Sequence, residues 1–405
     1  MLGVDRVTQY LRPHAFKREN AEALAQYASR ADAPVPLRAL AVKMLGEWEN
    51  PPRRDYITGL TQSLPKRSKD EARIALTSVI GKVFAGPEAV RKAATTAAPK
   101  LGMTEVAPFL ISLVGTERAS TQNRIDALNA LASLKDPKLN ETALKAIGSQ
   151  DPQVRNAGRG IIIKKESAEI LKQIQGVLDG SDIVEQQGSL AILAGNPSGD
   201  ADTLIEAWLD KLIAKNAKPE LTLEILEAAA SSQSERIKRR LAGFEESRPK
   251  DDLGKYREAL VGGDAARGRD IFINKAAVQC QRCHQIDGQG GEVGPPANGA
   301  GKQTRDYLLE AMVLPSKAIA KGYDTILITT LDSKTVSGVF KSEDEKEVRL
   351  MTAEGKLVTV KKSDIDDRRT TKSAMPDDLH GKLTKRELRD LVEFLSGLKN
   401  EWKKR

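Results

Sequence analysis

The stretch QCQRCHQ, residues 279–285, holds the only two cysteines of a 405-residue chain, three positions apart and followed at once by a histidine. Three chemistries use Cys280, Cys283 and His284 in this order: thioether attachment of a c-type haem, a redox-active dithiol, or part of a zinc site. Zinc is the weakest fit. A closed structural site takes four nitrogen or sulfur ligands, and only His14 and His380 could add a fourth. A thioredoxin-like dithiol opens a helix within a βαβ unit, whereas the residues that follow here are QIDGQGGEVGPPANGAG, the composition of a long loop. Haem attachment uses every residue of the motif. Two thiols on one helical turn can each add to one porphyrin vinyl group, and the neighbouring imidazole then reaches the iron. The carbonyl of Pro295 is the expected acceptor for the other imidazole N–H, which would fix the tautomer and ring orientation of His284.

An iron on His284 has a second axial face, for which Met312, Met351, Met375, His380 and His14 are candidates. Met375 leads, because it stands in SAMPDDL, a polar segment stiffened by Pro376, where a thioether can be aimed from a loop. Met351 lies in an alternating run and Met312 in an apolar helix, so both read as packing residues, with His380 as runner-up. The elements around the motif follow from pattern. Residues 263–279 read as a short helix carrying Ile271 and Phe272. LTKRELRDLVEFLSGL, residues 383–398, has Thr384 and Glu387 in capping-box spacing and an apolar stripe of Leu388, Leu391, Val392, Leu395 and Leu398.

From GDAARGRDIF through CQRCH, GGEVGPP, DYLLEAMVLPSKAIAKGYDT, SGVF, SAMPDDL and LTKRELRDLVEFL, residues 263–398 resemble the PVC-type haem-binding domain of the cytochrome c family. The resemblance implies one covalent haem c, attached at Cys280 and Cys283, with His284 as proximal and Met375 as distal ligand. It further implies a β insertion between Tyr323 and about Ile365. The residues agree: DTILITTL, TVSGVF, EVRLMT and KLVTV are short runs rich in Thr, Val and Ile between turn signals, which predicts a small antiparallel sheet of about four strands.

Residues 1–262 differ in kind. They are helix-compatible throughout, with Pro and Gly at the breaks, and aligning VRKA, NRID, VRNA and EQQG places Arg91, Arg124, Arg155 and Gln187 at intervals of 33, 31 and 32 residues. That is near the length of a helix-hairpin repeat, so the predicted fold is mainly α: a HEAT-like solenoid over 1–262 and a cytochrome c-like domain over 263–405. WENPPRRDYITGL, residues 48–60, resembles a stretch upstream of such haem domains in larger members of the same family.

The net charge of +8 divides equally, +4 on residues 1–260 and +4 on 261–405, so no basic stripe favours nucleic acid. No run of 18 apolar residues is present, and the first residues lack the pattern of a secretory signal. Because c-type haem is attached outside the cytoplasm, the expected location is the periplasm or a comparable compartment, with the export signal removed or upstream. No hydrolase, zincin or P-loop motif stands out. The expected function is one-electron transfer through a His/Met-ligated haem, with the helical repeats docking a redox partner or an upstream dehydrogenase domain. The alternative is a protein-interaction scaffold with a structural or sensory haem. An enzyme would need an open iron position, which a bound Met375 denies.

Overall fold

The computed structural model describes residues 18–53, 61, 67–164 and 167–400. His14 and most of the 48–60 stretch lie outside them. The fold is mainly helical, with one small antiparallel sheet. The chain divides into two compact units, Met1–Ile192 and Leu193–Arg405.

In the first unit the described helices are α1 (Arg18–Ser29), α2 (Val35–Gly46), α3 (Lys69–Thr77), α4 (Ile80–Phe84), α5 (Glu88–Leu101), α6 (Ala107–Gly115), α7 (Thr121–Ser133), α8 (Leu139–Ile147), α9 (Pro152–Ile162), α10 (Ser167–Leu178) and α11 (Ile183–Gly195). Helix α2 packs on α5, α5 on α7 and α7 on α9, while α6 and α8 pack beside their sequence neighbours. The core is rich in Ala and Leu, which permits close helix approach. A recurring contact joins successive helices. The fourth residue of α2, α5, α7, α9 and α11 is Arg38, Arg91, Arg124, Arg155 and Gln186, and each donates to carbonyls at or just after the end of a preceding helix. Arg38 Nε reaches Ala28 O at 2.9 Å, Arg124 Nε reaches Val114 O at 2.9 Å, and Gln186 Nε2 reaches Leu178 O at 2.8 Å. The last carbonyls of a helix have no partner within it, so a donor from the next helix satisfies groups that would otherwise be buried bare. The expected series contained Gln187; the capping side chain is its neighbour Gln186, and Arg38 is an earlier member that the 31–33-residue spacing missed.

The second unit begins well upstream of residue 263. Helices α12 (Gly199–Ile213), α13 (Thr222–Ser231) and α14 (Glu235–Ser247) precede α15 (Ala265–Asn274), the one-turn α16 (Cys280–Cys283), α17 (Arg305–Val313) and α18 (Lys385–Gly397). Electrostatics explains why the upstream helices belong here. Glu224 of α13 and Arg389 of α18 are both fully buried and form a two-pronged pair at 2.9 and 2.7 Å. Arg386 adds a bond to Glu224 at 3.0 Å and one to Glu227 at 2.7 Å. Two buried charges of this kind are tolerable only together, so α13 and α18 cannot part without stranding one of them.

Helices α15 and α18 cross at Gly268, where a β-carbon would overlap the carbonyl of Asp390. Asp390, itself buried, accepts from the backbone N–H of Asp264 at 2.7 Å and from Arg267 Nε at 2.9 Å. Thr384 and Glu387 do form the capping box at the start of α18. Its stripe splits between two apolar clusters, Leu391 and Phe394 facing Ile271, Phe272, Val278 and Ile286, and Leu388 and Val392 facing Leu309 and Val313.

The sheet has five strands rather than about four: β1 (Thr325–Thr330), β2 (Thr335–Glu343), β3 (Glu347–Met351), β4 (Leu357–Lys361) and β5 (Ile365–Thr370), in the order β4-β3-β2-β1-β5. The fifth strand reads IDDRRT and is largely exposed, so neither β-branched content nor alternation announces it. Pairing with β1, at Ile326 with Thr370 and Ile328 with Arg368, makes it a strand. Its charged residues suit an edge. Ile326, Ile328, Val348, Leu350 and Val360 form the core of the sheet.

Two stability outcomes follow. Arg124→Met should lower the unfolding free energy by about 1–3 kcal/mol in urea denaturation followed by helical circular dichroism, because a buried carbonyl loses its donor. The exposed Arg118→Met should not. Glu224→Ala should cost about 3–5 kcal/mol by stranding Arg389, whereas Glu224→Leu combined with Arg389→Met should cost far less, as expected when an ion pair leaves together.

Candidate haem-attachment site

Helix α15 ends at Asn274, and the chain turns through Gln279, whose φ of 47° lies in the left-handed region, into α16. A non-glycine residue there directs the following turn sharply. Cys280 and Cys283 occupy the two ends of α16, both half-buried and both free thiols. His284 leaves the helix in an extended conformation, its N–H donating to Cys280 O at 3.0 Å.

The loop after His284 folds back over the motif. Gly291 N–H donates to Gln281 O at 3.0 Å, Gly294 N–H to Cys283 O at 2.8 Å, and Ala297 N–H to Gln285 O at 2.8 Å. The glycines are required by contact rather than by φ alone. A β-carbon on Gly294 would stand 2.8 Å from His284 Nδ1 and 2.9 Å from Nε2, inside the space of the ring. The Gly294 backbone therefore lies flat against the imidazole, and Phe272 lies on α15 with its ring centre 6.4 Å away.

His284 Nδ1 lies 2.7 Å from Pro295 O. A carbonyl can only accept, so Nδ1 carries the proton and Nε2 carries the lone pair. Burial holds the imidazole below the usual histidine range, against the smaller opposing pull of the Pro295 hydrogen bond. The ring is thus held neutral, in one tautomer, with Nε2 ready to bind a metal. Burial pushes the Cys280 thiol up to about 11 and raises that of Cys283 as well. A redox-active dithiol requires the opposite, a thiolate stabilised near neutral pH.

The donors present fit a covalent haem. They comprise two un-ionised thiols on one turn, one imidazole nitrogen with a free lone pair, and an apolar floor in which Cys280 packs with Ile271, Phe272, Val278, Ile286, Leu391 and Phe394. The distal candidates are placed as follows. Met375 is half-buried, its N–H donating to Ser373 Oγ at 3.2 Å. Ser373 N–H in turn donates to Ser316 Oγ at 3.2 Å, and Ser316 donates to Asp377 at 3.0 Å. Met312 packs between the two apolar clusters, and Met351 lies in β3 opposite Val339 and Leu357. His380 meets Tyr256 edge-on at 5.5 Å, and its buried Nδ1 has no hydrogen-bond partner. A cleft of about 620 Å³ beside the motif is lined by Lys275, Gln279, Gln281, Arg282, Gln289 and their neighbours. Gly294, Ser316 and Ser373 were not singled out from sequence. Only the glycine left a signal, in GGEVGPP, where three glycines precede two prolines.

No family model matches the chain, and no curated protein matches it.

In the haem-free chain, Cys280 should alkylate at pH 8 about a hundredfold more slowly than in urea, because burial pushes its thiol up to about 11 and the nucleophile is the thiolate. Mass spectrometry of iodoacetamide-treated samples checks this. Equal rates in the folded and unfolded chain would show the thiol to be open.

Proposed function

We propose that the protein is a c-type cytochrome, a one-electron carrier in which Cys280 and Cys283 would hold one haem covalently and His284 and Met375 would ligate its iron. The observation that carries this reading is the hydrogen bond from His284 Nδ1 to Pro295 O, one residue beyond two thiols on a single turn. Each thiol would add S–H across a vinyl double bond, forming a C–S bond with the proton ending on the neighbouring carbon. The bound haem would supply the reversible one-electron couple of its iron. His284 contributes the Nε2 lone pair, made more basic by donation from Nδ1 to a carbonyl. Gly294 and Phe272 restrict ring rotation, and the apolar cluster excludes water and lowers the local dielectric. Met375, stiffened by Pro376 and tethered through Ser373 and Ser316, supplies a thioether that favours the reduced state.

In this reading the helical repeats upstream of α12 are a HEAT-like scaffold for docking a redox partner. The succession α2, α5, α7, α9 and the recurring capping residue at the fourth position of each support it. A partner outside the cytoplasm, in the periplasm or an equivalent compartment, fits the requirement for haem attachment there. No helix among the described residues is long and apolar enough to cross a membrane. The competing distal donor is His380, favoured by its unpartnered buried nitrogen.

Protein made with a cytochrome c maturation system should keep its colour through acid-acetone extraction and denaturing electrophoresis. Its oxidised spectrum should show the weak far-red sulfur-to-iron band, which Met375→Ala should abolish while lowering the reduction potential. Loss of colour with two titratable thiols would overturn the reading. A spectrum that changes with His380→Ala but not with Met375→Ala would replace the thioether with a second imidazole.

A further inference from the structure

We propose that the five-stranded sheet is a clamp on the proximal loop, with Lys341 as the positioning residue that holds the Pro295 carbonyl on His284. The bonds that fold the loop over the motif are internal to it: Gly291 to Gln281, Gly294 to Cys283, Ala297 to Gln285, Ile286 to Gln289, and Asn298 to Asp287. These fix the loop to itself. Lys341 comes from elsewhere. It stands in β2, 49 residues after Glu292, and its ammonium donates to Glu292 O at 2.6 Å. Glu292 is three residues before Pro295 and next to Val293, which is buried. Its side chain also accepts from Gln285 Nε2 at 3.1 Å, so one residue ties the loop both to the sheet and to the residue after His284.

The ammonium is held on a second side by the ring of Tyr323, 5.3 Å away at the start of the β segment. Burial, with a smaller contribution from the Glu292 charge, keeps the Tyr323 hydroxyl above its usual range. A lysine anchored over an aromatic ring loses less freedom on bonding a carbonyl than a free one, and a charged donor makes a stronger bond than a neutral one. The sheet has an apolar core of its own, so β2 is a packed strand on which Lys341 is anchored. The consequence falls on the imidazole. If Glu292 is released, the Gly294–Pro295 segment can lift, and the Nδ1 hydrogen bond that orients the ring opens more often.

The geometry is a property of the chain, while its meaning as control of an axial ligand rests on the function proposed above. The test is solvent exchange of the His284 Nδ1 proton, followed by NMR on the 405-residue chain, with covalent haem established separately by mass. Lys341→Met keeps the aliphatic stem and removes the donor. It should speed exchange about tenfold with the thermal midpoint unchanged, and Lys341→Arg should restore slow exchange. Lys334→Met, a loss of charge at the β1–β2 turn, should have no effect. Unchanged exchange in Lys341→Met, or equal acceleration in Lys334→Met, overturns the clamp. A chain without covalent haem overturns the cytochrome reading, and the exchange rates still decide the clamp.

Discussion

The crossing of α15 and α18 at Gly268 is the constraint on which the rest of the second unit depends. With no β-carbon at 268 the two backbones touch, and the Asp390 carbonyl occupies the space a side chain would fill. Everything that faces the motif is referred to this contact. Helix α15 delivers the chain to Gln279 and Cys280, and α18 carries Leu391 and Phe394 beneath them. The crossing is locked by charge as well as by shape, since the buried Asp390 caps α15 through Asp264 and pairs with Arg267. On the other side of α18, the buried Glu224–Arg389 pair draws in α13. Such a pair adds little net stability compared with apolar residues of the same size, but it tolerates only one alignment of the helices that bear it.

The site built on this frame selects between chemistries by electrostatics. The same burial acts on a base and on two acids with opposite signs, lowering the imidazole and raising the thiols. All three are thereby held uncharged. A neutral imidazole with one nitrogen committed to Pro295 keeps a lone pair on the other, and un-ionised thiols are poor disulfide exchangers.

In the first unit stability is distributed instead of centred. Arg38, Arg91, Arg124, Arg155 and Gln186 each resolve the same local difficulty, the unpaired carbonyls at a preceding helix end, from the same position of the next helix. A solution repeated at each step needs no single large core, which suits a stretch low in aromatic residues and rich in Ala and Leu.

The sequence by itself determined the local chemistry. The Cys280, Cys283, His284 spacing, the capping box at Thr384, the apolar stripe of α18 and four of the strands are all set by residues within a few positions of one another, where propensity and periodicity act. The periodic arginines were visible for the same reason. What only the tertiary structure decided involves residues far apart in the chain. IDDRRT becomes a strand because β1 offers it an edge, not because its composition asks for one. Helix α13 is held to α18 because Glu224 finds Arg389 some 165 residues later. Lys341 reaches Glu292 across 49 residues. Nothing near either partner in sequence encodes these meetings, since a buried charge or a carbonyl specifies only that a complementary group must arrive, and the packing of the whole unit chooses which one does.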